Sequence, residues 1–432
     1  MTIVWLRRDL RLFDNAALYY ALQQNTNVQP IFIFDKTILD KLTNKDDARI
    51  TFIHNALQAL QQQLISNGSS LRVFYDTPHN VFAQLATEQV TAVYTNHDYE
   101  PYAHERDGAI ATLLAQHHIK FNTYKDHVIF EKNEVTKDDG TAYTVFTPYA
   151  NKWKKTITDY YLKAYPTEKY FGNFIQQQPI ALLSLANIGF DKSTITLPSV
   201  SWNESLIRNY SAQRDFPAIA GTSKLSVHLR FGTVSIRQLA RLATPLSVTW
   251  LNELIWRDFY AMILYHFPHS ATKAVKPAYD RILWRNNEAE FAAWCSGNTG
   301  YPIVDAGMRE LNATGFMHNR VRMITASFLT KHLLIDWRWG ERYFAEKLLD
   351  FDLSSNVGGW QWAAGSGCDA APYFRVFSPD AQTKKFDAKL TYIKKWIPEV
   401  EQVFKYPKPI VDHKFARERV LATYKIALTQ VE

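Results

Sequence analysis

Trp250, Glu253, Trp256, Arg257 and Tyr260 recur at three- and four-residue intervals, so on a helix they share one face. Two indoles, a carboxylate, a guanidinium and a phenol on one stripe suit a wall that stacks a flat ligand while Glu253 or Arg257 bonds its edge. The competing reading is a partly buried helix whose tryptophans are simply core. A second group is Met317-His318-Asn319-Arg320-Val321-Arg322-Met323, in which Asn319 and Met323 are helical neighbours. Asn319 equally suits a helix cap, and Met323 a gap in a core. Arg320 and Arg322 project in different directions, so one can meet a phosphate while the other pairs with a carboxylate. A third group is Asp350, Phe351, Asp352, Asn356, Gly358 and Gly359, followed by Trp360 and Trp362. Its glycines let backbone approach a ligand closely. Gly221-Thr222-Ser223-Lys224-Leu225-Ser226 adds a small-hydroxyl turn that can hold a diphosphate or cap a helix.

Other chemistries find no support. His266 and His269 stand without a third ligand at zinc spacing, so no metal site is expected. No Gly-x-Ser-x-Gly elbow points to a serine hydrolase. Neither common glycine-rich phosphate loop follows the first apolar run.

These groups need a scaffold, and 432 residues allow two or three domains at roughly 150 residues each. Short apolar runs at Ile3–Leu6, Gln29–Phe34, Leu71–Tyr75, Thr91–Tyr94 and Val128–Phe130 alternate with helical patterns such as Ala48–Ile65. This alternation predicts an α/β domain with a doubly wound parallel sheet over residues 1–130. A less periodic linker is expected over 131–200, with one helix at Asn151–Tyr165. An all-α domain then fills 201–432, with helices at Val248–Tyr265, Tyr301–Leu311, Asn319–Ile335 and Gly340–Leu349. The charge is uneven: residues 1–200 carry 19 Lys+Arg against 20 Asp+Glu, whereas 201–432 carry 30 against 22. That excess suits a polyanion such as nucleic acid, or an ordinary basic surface. Ten of the 12 tryptophans also lie after residue 200. Two cysteines give no disulfide framework, and no apolar stretch approaches a secretory signal or a span of ~20 residues. A soluble, cytoplasmic chain is expected.

At these same residues the chain resembles the photolyase/cryptochrome family from end to end. The resemblance runs through Trp5-Leu-Arg-Arg-Asp-Leu-Arg11, Thr222–Ser226, Trp250–Arg257, Thr299–Asp305, Met317–Met323, Asp350–Trp362 and Asp369–Arg375. It implies a photolyase-like fold, and a light-driven enzyme in which reduced, anionic FAD transfers an electron to a cyclobutane pyrimidine dimer in UV-damaged DNA and recovers it after the ring splits. The positions matching FAD contacts are Tyr210, Thr222, Ser223, Lys224, Leu225, Ser226, Trp250, Arg322, Asp350, Phe351, Asp352 and Asn356. Those matching the lesion pocket are Glu253, Trp256, Asn319, Met323 and Trp362, with Arg214, Arg257, Arg320 and Gln382 toward the strand. Trp360, Trp337 and Trp284 match a three-tryptophan electron chain.

Within the family, Asn319, Met323, Glu253 and Trp362 bring the chain closest to class I cyclobutane-dimer photolyases; the alternative is a cryptochrome, a flavin photoreceptor without repair. Tyr102 and Ala103 stand where folate-binding members tend to carry an Asn-Glu pair, so an antenna chromophore is open between folate, deazaflavin, a second flavin and none. The resemblance implies a monomer with no obligate protein partner, associated with the nucleoid when bound to DNA. The basic second part implies a phosphate contribution, so DNA affinity is expected to fall with added salt. Titrations from low to moderate ionic strength check this, and a flat response would contradict it.

Overall fold

The β-rich runs of the N-terminal third pair as predicted, with one exception. In the computed structural model, which describes residues 1–402 and 404–429, β1 (Thr2–Leu6), β2 (Val28–Asp35), β3 (Arg72–Asp76), β4 (Ala92–Asn96) and β5 (Lys120–Tyr124) form one sheet. Its order is β3-β2-β1-β4-β5 and every pairing is parallel, Thr2 lying opposite both Val28 and Ala92. The inner strands β1, β2 and β4 are buried along their whole length, as a sheet covered on both faces requires. The helices α1 (Ala16–Gln24), α2 (Ala48–Ile65), α3 (Pro78–Leu85) and α4 (Pro101–Gln116) alternate with the strands, and Ile3, Trp5, Ile31, Phe82, Val93 and Ile110 share a core.

The exception is the fifth strand. Val128–Phe130 is a buried bend, and the paired edge strand is Lys120–Tyr124. An edge strand with Lys120, Asn122 and Thr123 shows little apolar character, whereas an apolar run can be buried by packing without pairing.

Two units arise, one of residues 1–131, 155–200 and 225–245, the other of 132–154, 201–224 and 246–432. These bounds differ from the 1–130, 131–200 and 201–432 read from the sequence. Residues 155–200 are no free linker: Phe174 bridges to Val28, and Phe174 and Ile188 are buried. The expected helix at Asn151–Tyr165 divides into α5 (Phe146–Thr156) and a single turn at Asp159–Leu162. After α6 (Glu204–Gln213) of the second unit, α7 (Ser226–Phe231) and α8 (Ile236–Ala243) return to the first.

What holds α8 is a buried charge network. Arg237 donates to Asp14 at 2.9 Å and to Asp126 at 2.7 Å, and Arg11 donates to Asp126 at 2.6 Å. Burial opposes ionisation of Asp126, yet Arg11 and Arg237 together hold its carboxyl down at about 2.

The rest of the second unit is helical: α9 (Val248–His266), α10 (Glu288–Ser296), α11 (Pro302–Thr314), α12 (Asn319–Ser327), α13 (Trp337–Lys347), α14 (Leu353–Ala364), α15 (Pro379–Phe386), α16 (Thr391–Trp396) and α17 (His413–Thr429). The expected helix over Asn319–Ile335 changes pitch after Ser327 into a wider π-turn at Phe328–His332. There the buried Lys331 ammonium donates to the carbonyls of Ala364 (2.9 Å) and Tyr373 (3.3 Å). Among the described residues no helix is long and apolar enough to cross a membrane.

Asp126→Asn should lower stability by about 3 kcal/mol, because Arg11 and Arg237 then lose a buried partner. The native carboxyl is depressed, so its contribution is complete above the unfolded value of about 4 and disappears as pH falls toward 2. Urea midpoints of the two proteins should therefore converge across that interval.

Candidate functional site

The third sequence group and the start of α12 meet in an ion pair. Arg322 Nη2 lies 3.0 and 3.1 Å from the two Asp350 oxygens, and Arg322 Nε donates to the Met317 carbonyl at 2.7 Å. The guanidinium stands 5.8 Å from the centre of the Phe316 ring, and the Lys224 ammonium 5.0 Å from it. The Lys224 side chain and the Arg322 guanidinium thus meet on one ring. The cap of α12 is His318, whose Nδ1 accepts from the Arg320 N–H at 3.2 Å; Asn319, read as a possible cap, is the first helical residue and is exposed. Burial and the Arg322 charge push His318 down to about 4, so its ring is neutral and can accept.

Asp352 caps α14, its Oδ1 accepting from the Ser355 N–H at 3.1 Å and the Ser354 hydroxyl at 2.6 Å. One turn further on, the Asn356 amide donates to the Glu341 carbonyl at 3.0 Å and to Glu341 Oε1 at 2.9 Å. A main-chain carbonyl can only accept, which fixes the orientation of this amide and leaves Asn356 Oδ1 without a partner among the described residues. Burial raises the Glu341 carboxyl, with the Asn356 bond opposing. Trp360 lies against the backbone of α13 at Gly340, where a Cβ would fall 2.1 Å from its ring.

On α9, Glu253 pairs with Arg214 at the C-cap of α6. Burial raises the Glu253 carboxyl while Arg214 lowers it, yet 31% of the side chain stays open to solvent. Glu253 is thus part-buried, paired with Arg214 and still reached by water. Trp256, one helical turn along, stacks on Phe146 with ring centres 3.7 Å apart and planes 3° from parallel. Phe146 is pinned in turn, since its N–H bonds Asp369 and the Asp369 N–H donates to the Thr144 carbonyl at 2.9 Å. Tyr260, the next residue on this stripe, packs against Gly358 of α14.

Other expected residues are placed as follows. Trp250 is buried; Tyr210, Phe351, Met323, Trp362, Arg257 and Gln382 are half-buried. Burial raises the Tyr210 phenol, with Glu253 adding to the rise. Thr222, Ser223 and Lys224 belong to the second unit, whereas Leu225 and Ser226 open α7 in the first. Trp337 and Trp360 are buried and Trp284 half-buried, but no ring contact joins these three among the described residues. The rings touching Trp360 are Phe344 at 4.9 Å and Trp294 at 6.0 Å.

Sequence reasoning missed Phe146, Glu341 and Asp215. Phe146 lies in a stretch read as linker and carries no polar atom. Glu341 looks like one more charge on a helix, and Asp215 like a turn residue. No motif in the sequence marked any of the three.

The chain matches "DNA photolyase" over residues 2–169 and "FAD binding domain of DNA photolyase" over 250–405. It is 38% identical to the deoxyribodipyrimidine photo-lyase of Synechococcus sp., covering 100% of this chain and 98% of that one. Among solved structures it resembles a bacterial class III photolyase from Agrobacterium tumefaciens (TM-score 0.87, 32% identity, 99% and 98% covered). It also resembles an archaeal photolyase from Sulfolobus tokodaii with two FAD molecules (TM-score 0.82, 33% identity, 98% and 99% covered). Relatives this similar, spanning nearly the whole sequence on a shared fold, place the chain in the photolyase/cryptochrome family.

Proposed function

We propose that this protein is a DNA photolyase that uses FAD and light to reopen cyclobutane pyrimidine dimers. The observation that carries the reading is Glu253, a part-buried carboxyl paired with Arg214 on the same helical stripe as Trp256, in a chain whose relatives are named photo-lyases. The same naming favours repair over signalling.

The chain's residues fit FAD. Asn356 Oδ1 has no protein partner, and neither do the N–H groups and hydroxyls of Thr222 and Ser223 among the described residues. An acceptor for a ring N–H and donors for a diphosphate are therefore on offer. Reduced FAD, when bound, supplies the electron that light drives onto the dimer and takes it back once the ring has opened. Around it, Arg322 and Asp350 fix the charge beside the ring system, and Asp352 sets the start of the helix that presents Asn356. Tyr210, Thr222, Ser223, Lys224, Leu225, Ser226, Trp250 and Phe351 complete the holding set. Trp360, Trp337 and Trp284 serve to pass electrons inward from the surface.

Dimer recognition falls to the chain alone. A dimer must leave the duplex to be reached, and its weakened pairing lowers the cost of extrusion. Glu253 bonds the base edges, Trp256 and Trp362 supply apolar walls, and Asn319 and Met323 line the floor. Arg214, Arg257, Arg320 and Gln382 engage the strand.

The first unit serves as the antenna domain. Its Tyr102 hydroxyl donates to Asp35 at 2.5 Å, so this residue is committed within the protein, and the antenna chromophore stays open between folate, deazaflavin, a second flavin and none. The protein acts as a monomer in the cytoplasm.

Blue light on the reduced protein with dimer-containing DNA should remove the lesions; their persistence would refute the assignment. Glu253→Ala should weaken dimer binding about tenfold, the worth of one lost hydrogen bond to a partly buried group, while flavin absorbance is retained. In the free protein Glu253 is a carboxylate paired with Arg214, but burial outweighs that pairing, so it takes up a proton, and gains a donor O–H, at a higher pH than an ordinary carboxyl. Dimer affinity should therefore decline as pH rises through that raised value, and Glu253→Gln, a donor at every pH, should flatten the profile in dark binding titrations.

A further inference from the structure

Two arginines that face the DNA strand in the reading above are already held by carboxylates. Arg320 Nη2 meets Asp215 Oδ1 at 2.7 Å, and Arg214 Nε lies 3.9 Å from the same oxygen. Arg214 Nη1 holds Glu253 at the same time. Arg320 is further confined, its guanidinium 4.4 Å from the centre of the Phe386 ring and its Nη1 3.7 Å from Met323 Sδ. Glu253, Arg214, Asp215 and Arg320 thus form a row of alternating sign running from α9 past the end of α6 to α12. Their formal charges cancel, although residues 201–432 as a whole are basic. Asp215 is 39% exposed at its side chain, so a phosphate arriving at either arginine meets this carboxylate.

We propose that Asp215 determines specificity, holding Arg214 and Arg320 back from indiscriminate phosphate contact and supporting Arg214 once a dimer has claimed Glu253. The proposal rests on the repair reading. Its physics is a difference between two complexes. Undamaged DNA offers phosphates but no extruded base, so Arg214 stays on Glu253 and Asp215 only repels the strand. An extruded dimer takes over Glu253, and Arg214 then needs another anion. Asp215 lies in reach, 3.9 Å from Arg214 Nε. Its charge therefore opposes the undamaged complex and is of use in the lesion complex, which separates the two affinities. Asp215 is a positioning residue here, since it acts through the arginines.

The test is dark binding of the flavin-loaded protein to two matched duplexes, one carrying a single cyclobutane thymine dimer, across a salt series. For Asp215→Asn, affinity for the undamaged duplex should rise about two- to fivefold, the range of a partly exposed ion pair, and dimer affinity should not rise. The salt dependence for undamaged DNA should steepen by about 1 in log–log slope, reporting one more arginine on phosphate. Asp215→Glu should restore the native preference, and unchanged flavin absorbance in both variants certifies the fold. An unaltered dimer preference in Asp215→Asn, or a parallel fall of both affinities, would overturn the proposal. A native protein that shows no dimer preference would instead overturn the repair reading.

Discussion

The Arg322–Asp350 ion pair is the constraint on which the rest of the site depends. Asp350 is almost out of solvent and Arg322 is three-quarters covered, so removing either partner would strand a charge where water cannot fully compensate it. The pair ties the first turn of α12 to the segment that leads into α14. Two residues after Asp350, Asp352 caps that helix, and one turn later Asn356 is presented with its amide already locked onto Glu341. The ion pair thus lies just before the capped start of α14, and that helix positions an acceptor without a partner among the described residues.

Electrostatic balance is the second organising principle. The second part of the chain is basic overall, but around Glu253 and Asp350 arginines and carboxylates answer one another at short range. Burial raises Glu253 and Glu341, and a bonded partner restrains each. Such groups respond strongly when a ligand displaces a partner, because a partner lost at a part-buried site is not fully replaced by bulk water.

How much of this was legible in the sequence differs from element to element. The helix Ala48–Ile65 is found with its predicted bounds, since its apolar spacing is strong and its capping Asp47 is local. The stripe from Trp250 to Tyr260 was legible for the same reason, as periodicity on one helix needs no knowledge of the partner. The pair of Arg322 and Asp350 was suggested by residue type but not by spacing, and only family resemblance joined them. The edge strand Lys120–Tyr124 escaped because solvent faces part of it. Phe146, Glu341 and Asp215 escaped because each owes its importance to a residue distant in sequence, and nothing local announces that neighbour. The π-turn at Phe328–His332 is likewise a tertiary outcome, in which the buried ammonium of Lys331 meets two carbonyls from other segments.

Phe146 lies flat on one side of the Trp256 ring and so consumes that side entirely. Tyr260, tilted 30° with its ring centre 5.4 Å away, and Phe259, edge-on at 5.6 Å, also touch the indole, so three aromatic neighbours fix its plane. Phe146 is itself held through its backbone N–H by Asp369, so the order of the indole belongs to the folded protein. Under the proposed repair function, a base placed against this indole would meet a side chain already ordered by its neighbours and would cost the protein little motional freedom.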